Sequence, residues 1–196
     1  MRTAKVAIFS ESEKLSGKAD VIFQYATETP VVVNLPAQAY RPVSDWIFRN
    51  EILEVGKEYN VGICKWFIST GSFDSLELFK ASLRKFEGKI PHVLVKNLYF
   101  RDRWDSVLEQ AELKNLLDHY QVKQVDFPKL GFDERDLIDQ HKLTFSAALE
   151  GSQLSILQKT RVRGFLREIY EAIEATGPVP VASIAGKANT EEKPSE

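Results

Sequence analysis

The sequence predicts an α/β protein, with an open, mainly parallel sheet in three layers and helices on both faces. Apolar runs biased toward β-branched residues recur at 5–9, 30–34, 63–68 and 92–96, and 122–127 alternates as a fifth. Runs without polar interruption suit strands covered on both sides. The segments between them are long enough for right-handed crossovers, and several carry apolar residues at helical spacing. Strands alternating with helices indicate a parallel sheet.

Taken in order, residues 5–9 read as a strand and 10–18 as a polar loop. Residues 19–28 follow as an amphipathic helix with Val21, Ile22, Tyr25 and Ala26 on one side. Pro30-Val-Val-Val-Asn34 closes a strand-helix-strand unit. Pro36 cannot donate to a ladder and favours an extended Leu35, so the strand ends there and 35–39 forms a loop at its carboxyl end. Ligands of open parallel sheets collect at that edge, within reach of Asn34 and Gln38. Ser44 and Asp45 are the expected caps of a helix running to about Tyr59, with Trp46, Ile47, Leu53 and Val55 inward.

After strand 63–68 and the small-residue loop 69–72, Leu76, Phe79, Leu83 and Phe86 mark a helix packed on the sheet, stopped by Gly88. Strand 92–96, a helix over 104–120 whose stripe shifts near Leu113, and strand 122–127 closed by Pro128 follow. A long helix over 152–175 places Val162, Phe165, Leu166, Ile169 and Ile173 inward, and Gly177-Pro178 ends it. One domain over 1–177 is the simplest division. Residues 178–196, rich in Pro, Ala, Ser, Lys and Glu, lack an apolar pattern and are expected to be a disordered tail.

Composition narrows the function classes. With 26 basic and 28 acidic residues the net charge is -2, so nucleic acid or an anionic membrane would have to be met by a local patch. The single cysteine, Cys64, excludes an internal disulfide and sits in an apolar run, where a buried small side chain is the default. His92, His119 and His141 show no metal-ligand spacing, and no metal site is assigned. No run reaches the roughly eighteen apolar residues of a membrane span, and 1–10 lacks the core of a signal peptide, so the expectation is a cytoplasmic protein with no membrane partner. Trp46, Trp66 and Trp104 lie on expected apolar faces and are assigned to the core.

Val31-Val32-Val33-Asn34-Leu35-Pro36-Ala37-Gln38 resembles the apolar run, Asp, x, Pro, Ala, Gln motif of the ParA/MinD group of P-loop ATPases, particularly the plasmid partition and mobilisation members. Trp66 to Thr70 with Asp74-Ser75-Leu76 looks like the family's next strand and loop, and Val93 to Asn97 like the strand whose terminal Asn reads adenine. Phe127-Pro128 with 132–151 looks like the last strand and base-covering loop. The resemblance spans about 31–175, by order and spacing more than by any one motif. It implies a P-loop NTPase-like fold, ATP and Mg as cofactors, and Asn34, Gln38, Asn97 and Pro128 as nucleotide-binding residues.

Two departures qualify what the resemblance implies. The family's switch carboxylate is Asn34 here, an amide without the charge to support magnesium-bound or attacking water. A glycine-rich phosphate loop is absent: Gly17-Lys18 lacks the first glycine, Ala19 has no hydroxyl, and Glu11 and Glu13 would repel phosphate. The family's P-loop strand, its helix and a further strand would precede Lys5, so the resemblance implies a fold incomplete at its amino-terminal side. No catalytic residue is assigned, and tight Mg-ATP binding is not expected.

Each site residue also has a plain structural role: Asn97 as a turn cap, Asn34 and Gln38 as ties for the Pro36 turn. Lys159, Arg163 and Arg167 share one helix face. The family resemblance implies DNA there, while a solvated face is the default for such spacing. The leading expectation is a ParA/MinD-like nucleotide-binding protein of plasmid or DNA partition or mobilisation, inactive as an ATPase, with DNA, a partition or mobilisation protein or a second copy as partner. The alternatives are a non-catalytic interaction or DNA-binding protein that keeps the fold, and a flavodoxin-like binding domain.

Overall fold

In a computed structural model the described residues are 6–9 and 17–177, so the expected tail at 178–196 and the acidic pair Glu11 and Glu13 lie outside them. The chain falls into two compact units that divide between Ile63 and Cys64.

The first unit is helical. Helix α1 (Asp20–Ala26) is followed by a 3-10 turn at Ala37–Ala39, then α2 (Tyr40–Arg49) and α3 (Ile52–Glu58). Its small core holds Ala19, Ala39, Trp46, Ile47 and Ile52. Trp46 brings elements together: its Nε1 donates to Asp20 Oδ1 at 2.9 Å, and the Phe9 ring meets it edge-on at 5.7 Å. A single helix to Tyr59 is not formed. Glu51 adopts a left-handed conformation (φ 50°) and Asn50 Nδ2 donates to the Trp46 carbonyl, ending α2 before α3 begins. Ser44 is no cap: it is buried inside α2, with its hydroxyl donating to the Tyr40 carbonyl. Gly56 is required where α3 meets the following turn, since a Cβ there would stand 2.4 Å from the Val61 carbonyl oxygen.

The two strands expected in this unit are not formed. Residues 6–9 have no regular structure, and Val31 to Pro36 is an unpaired segment in which Val32 is 97% exposed. A strand gains its hydrogen bonds only from a neighbour, and none among the described residues pairs with this run. Among the described residues the expected strand-helix-strand unit at the front is therefore not formed.

The second unit is mixed α/β and contains a three-stranded parallel sheet in the order β1-β2-β3. The strands are β1 (Lys65–Ser69), β2 (His92–Asn97) and β3 (Lys123–Phe127). Helix α4 (Phe73–Phe86) connects the first pair, and α5 (Asp105–Leu108) with α6 (Ala111–His119) connects the second. The predicted helix over 104–120 is thus two, and the break at Glu109 and Gln110 explains the shift in its apolar stripe. Both connections cover one face, where Phe67 and Leu94 pack against Leu76, Phe79 and Leu83 of α4 and against Trp104, Val107, Leu113 and Leu117.

On the opposite face Val93, Val95 and Val125 pack with Ala172 of α9 (Ile156–Ala175). Helices α7 (Phe132–Gln140) and α8 (Phe145–Glu150) occupy the stretch expected to be a covering loop. With α9 they enclose Ile138, Ala148, Leu154 and Val162. Helices therefore lie on both faces of this sheet. Full burial of Phe79 and Leu94 contributes roughly 1.5–3 kcal/mol each. Two side chains depart from their expected places: Ile173 is 39% exposed, and Trp66 faces solvent at 36%.

Candidate functional site

The carboxyl ends of the three parallel strands carry the richest polar chemistry of the second unit. After β1, Ser69-Thr70-Gly71-Ser72 turns the chain into α4. Gly71 takes φ +73°, and a Cβ there would meet Arg101 Cδ at 2.8 Å and the Trp104 ring at 3.2 Å. The loop after β2 thus lies directly over the loop after β1. The hydroxyls of the first loop satisfy its own amides: Gly71 N donates to Ser69 Oγ, Thr70 N to Ser75 Oγ, and Ser72 N to Thr70 Oγ1. Ser72 Oγ accepts from Ser75 N and so caps α4.

Asn97 ends β2. Its Oδ1 accepts from Tyr99 N at 3.0 Å, the turn-capping bond open to it. Tyr99 in turn joins the loop after β3. Its ring meets Phe132 edge-on at 5.9 Å, and its hydroxyl accepts from Arg135 Nη1 at 2.5 Å. Lys129 Nζ lies 4.6 Å from the Phe132 ring centre and Arg135 Cζ 5.0 Å from it, within cation–π range. The hydrogen bonds that Arg135 donates to Asp136 and then to Tyr99 push its guanidinium further up. Phe100 and Phe132 remain exposed at 61% and 51%. The three loops form one continuous edge bearing hydroxyls, amides, cations and aromatic rings.

The predicted site residues divide between the two units. Asn97 and the half-buried Pro128 stand at the carboxyl edge of the sheet. Asn34 and Gln38 belong to the first unit, where both are exposed, Asn34 in the unpaired segment and Gln38 on the 3-10 turn. Gly17-Lys18 belongs to a helical turn leading into α1. On α9, Arg163 and Arg167 are exposed, with Arg167 Nε 3.9 Å from Glu171, whereas Lys159 Nζ donates to the Gly151 carbonyl at 2.5 Å. Arg161 is also engaged, with the buried carboxylate of Glu134 at 2.7 Å. Sequence reasoning missed Tyr99, Arg101, Lys129, Phe132 and Arg135. The adjacent Tyr99-Phe100-Arg101 run was the available signal.

A second polar group lies at the opposite end of the strands, under α4. Lys65 Nζ donates to Ser82 Oγ at 2.8 Å, Ser82 Oγ lies 2.8 Å from His92 Nε2, and His92 Nδ1 lies 2.8 Å from the Ile90 carbonyl. The carbonyl can only accept, so Nδ1 carries the proton and Nε2 accepts from Ser82. Burial pushes the His92 imidazole down to about 4 and the Lys65 amine down to about 8. Ser82 is fully buried, so this chain of bonds ties α4 to two strands and presents no nucleophile to solvent. Burial likewise pushes the Cys64 thiol up to about 11, away from the reactive thiolate. Among the described residues no group of three or more His, Cys, Asp or Glu is placed to hold a metal, and no helix is long and apolar enough to cross a membrane. Family models, curated proteins and solved structures were all compared with the chain, and none matches.

Proposed function

We propose that the chain is a ParA/MinD-like nucleotide-binding protein of plasmid or DNA partition or mobilisation, with a P-loop NTPase-like architecture, that holds a base without hydrolysing ATP. The observation that carries the proposal is Asn97 at the carboxyl end of the central parallel strand, flanked by the aromatic and cationic side chains Tyr99, Lys129, Phe132 and Arg135. Open parallel sheets bind ligands at that edge. An amide suits a base edge, and aromatic rings with neighbouring cations suit a stacked base carrying phosphate.

The same edge is poorly built for triphosphate. Phosphate cradles need unengaged backbone N–H groups. In the loop after β1 those of Thr70, Gly71 and Ser72 already donate to hydroxyls. Asn97, the residue at the end of the central strand, supplies no carboxylate for magnesium. One or two neutral hydrogen bonds from Asn97, at about 1 kcal/mol each, fall far short of the roughly -8 kcal/mol of micromolar affinity. Binding is therefore weak and insensitive to magnesium.

Titration of the full chain with ATP or ADP, followed by amide chemical shifts, tests this. Saturable shifts centred on Asn97, Tyr99 and Phe132 at millimolar nucleotide are expected, weakened about fivefold by Asn97→Ala. No shift at that edge would reject nucleotide binding, and micromolar Mg-ATP binding lost in Lys18→Ala would move the site to Gly17-Lys18. The flavodoxin-like alternative draws on the hydroxyl-rich loop 69–72 at a strand's carboxyl end, and FMN in the same titration discriminates it. The DNA-binding alternative draws on Arg163 and Arg167, the exposed members of the α9 stripe.

A further inference from the structure

Arg101, in the loop after β2, is a half-buried cation without a counter-charge. Among the described residues its guanidinium makes no ion pair and no hydrogen bond, and the adjacent Asp102 does not pair with it. Other cations at the carboxyl edge are engaged: Lys96 meets Asp126 at 2.9 Å, Arg135 meets Asp136 at 2.6 Å, and Lys129 lies over the Phe132 ring. The Arg101 side chain is nevertheless held in place. Its Cδ and Nε lie over Gly71, 2.8 and 2.9 Å from where a Cβ would stand, a place open because residue 71 has no side chain. The Trp104 ring borders the same point at 3.2 Å, and its Nε1 donates to the Arg101 carbonyl at 3.1 Å, which fixes the backbone there. A charge partly withdrawn from water is ordinarily paired, so a fixed and unpaired guanidinium is suited to an anionic ligand.

We propose that Arg101 holds a phosphate and that the ligand of this edge is a nucleoside monophosphate. The inference rests on the reading of Asn97, Tyr99 and Phe132 as a base site, and it names the class of nucleotide. Arg101 lies over the loop after β1, Asn97 ends the central strand, and Tyr99 reaches the loop after β3. Adjacent strands are about 4.8 Å apart, so the three ends span roughly 10 Å, with the base at one side and the phosphate at the other. One guanidinium grips one phosphate bidentately. Further phosphates find no cradle, because the amides of Thr70, Gly71 and Ser72 already donate to hydroxyls. Asp74 in the first turn of α4 and Asp102 beside Arg101 add negative charge, which penalises each additional phosphate.

Titrations of the full chain with adenosine, AMP, ATP and ribose 5-phosphate, followed by backbone amide and arginine side-chain N–H chemical shifts, test this. AMP is expected to bind about tenfold more tightly than adenosine, from one charge-assisted contact, and ATP no more tightly than AMP with or without magnesium. Arg101→Gln should bring AMP down to the affinity of adenosine and leave adenosine unchanged, a selective loss that a folding defect would not produce. Arg101→Lys should restore part of the difference. AMP no tighter than adenosine, with adenosine still shifting Asn97, overturns the phosphate site and leaves the base reading standing. Ribose 5-phosphate shifting Arg101 while adenosine shifts nothing rejects the base reading, and the nucleoside monophosphate with it. ATP binding tenfold more tightly than AMP, or Arg101→Gln weakening adenosine and AMP alike, also overturns the proposal.

Discussion

Val31-Val32-Val33 and Val93-Leu94-Val95 are almost the same tripeptide in two regions of one chain. Their fates are opposite. The first is unpaired in the helical unit, with Val32 97% exposed, and the second is the middle of the central strand, with all three residues at 3% exposure or less. The difference is in the neighbours. Strand β2 has β1 and β3 on its two edges, α4 to α6 on one face and α9 on the other. The run at 31–33 has no ladder partner among the described residues, and Pro30 and Pro36 bracket it. Strand propensity measures how well a side chain fits a partly buried pleated surface, so it has no effect where no surface is offered.

That contrast sets the largest expected effect. Leu94→Ala should destabilise the second unit by about 2–5 kcal/mol, through lost burial and a cavity in a packed layer. Val32→Ala should change stability by less than about 0.5 kcal/mol. Denaturant midpoints followed by circular dichroism give both values. A large cost for Val32→Ala would show that the run at 31–33 is buried in solution and would erase the distinction.

The second test uses acid on the buried end of the sheet. With His92 held near 4 in the fold against 6.5 when unfolded, the unfolded chain takes up the proton first as pH falls. The stabilisation is complete above pH 6.5 and is lost between 6.5 and 4, a change on the order of 2–3 kcal/mol. His92→Gln should flatten that slope in urea midpoints recorded from pH 7 to 4. Lys65, held to about 8 by burial, acts on the alkaline side: stability should rise from pH 8 toward 10.5, as the unfolded chain alone keeps its proton. The helical unit has no buried histidine among its described residues, so its own melting should show no such acid slope.

The smallest effect concerns helix ends. At the start of α9, Ser155 Oγ accepts from Gln158 N, and Gln158 Oε1 accepts from Ser155 N at 2.9 Å. Ser155→Ala should cost about 1 kcal/mol, seen as a shift in the midpoint of the second unit only. A shift in both units would show that they unfold together.

Much of the second unit was legible in the sequence because its signals are local. Leu76, Phe79, Leu83 and Phe86 repeat at helical spacing, and all four are buried on α4. The apolar run at 92–96 became β2, and Val162 pointed into the core of α9 as its period required. Asn97 was placed at a strand's carboxyl end because strand direction follows from an alternating pattern of strands and helices.

What the sequence by itself determined about this protein is the period of each segment, and with it which elements could form and which face each would bury. What only the tertiary structure decided is which candidate strands found partners. Residues 6–9 and 31–33 have none among the described residues, although their composition matches strands that do. Tertiary packing also decided which side chains meet across loops, bringing Tyr99, Lys129, Phe132 and Arg135 together from two loops about thirty residues apart in sequence. The physical reason is the range of the bonds. A helix closes its hydrogen bonds four residues away, within reach of a sequence pattern, whereas a strand and a surface cluster depend on residues that only the fold brings alongside.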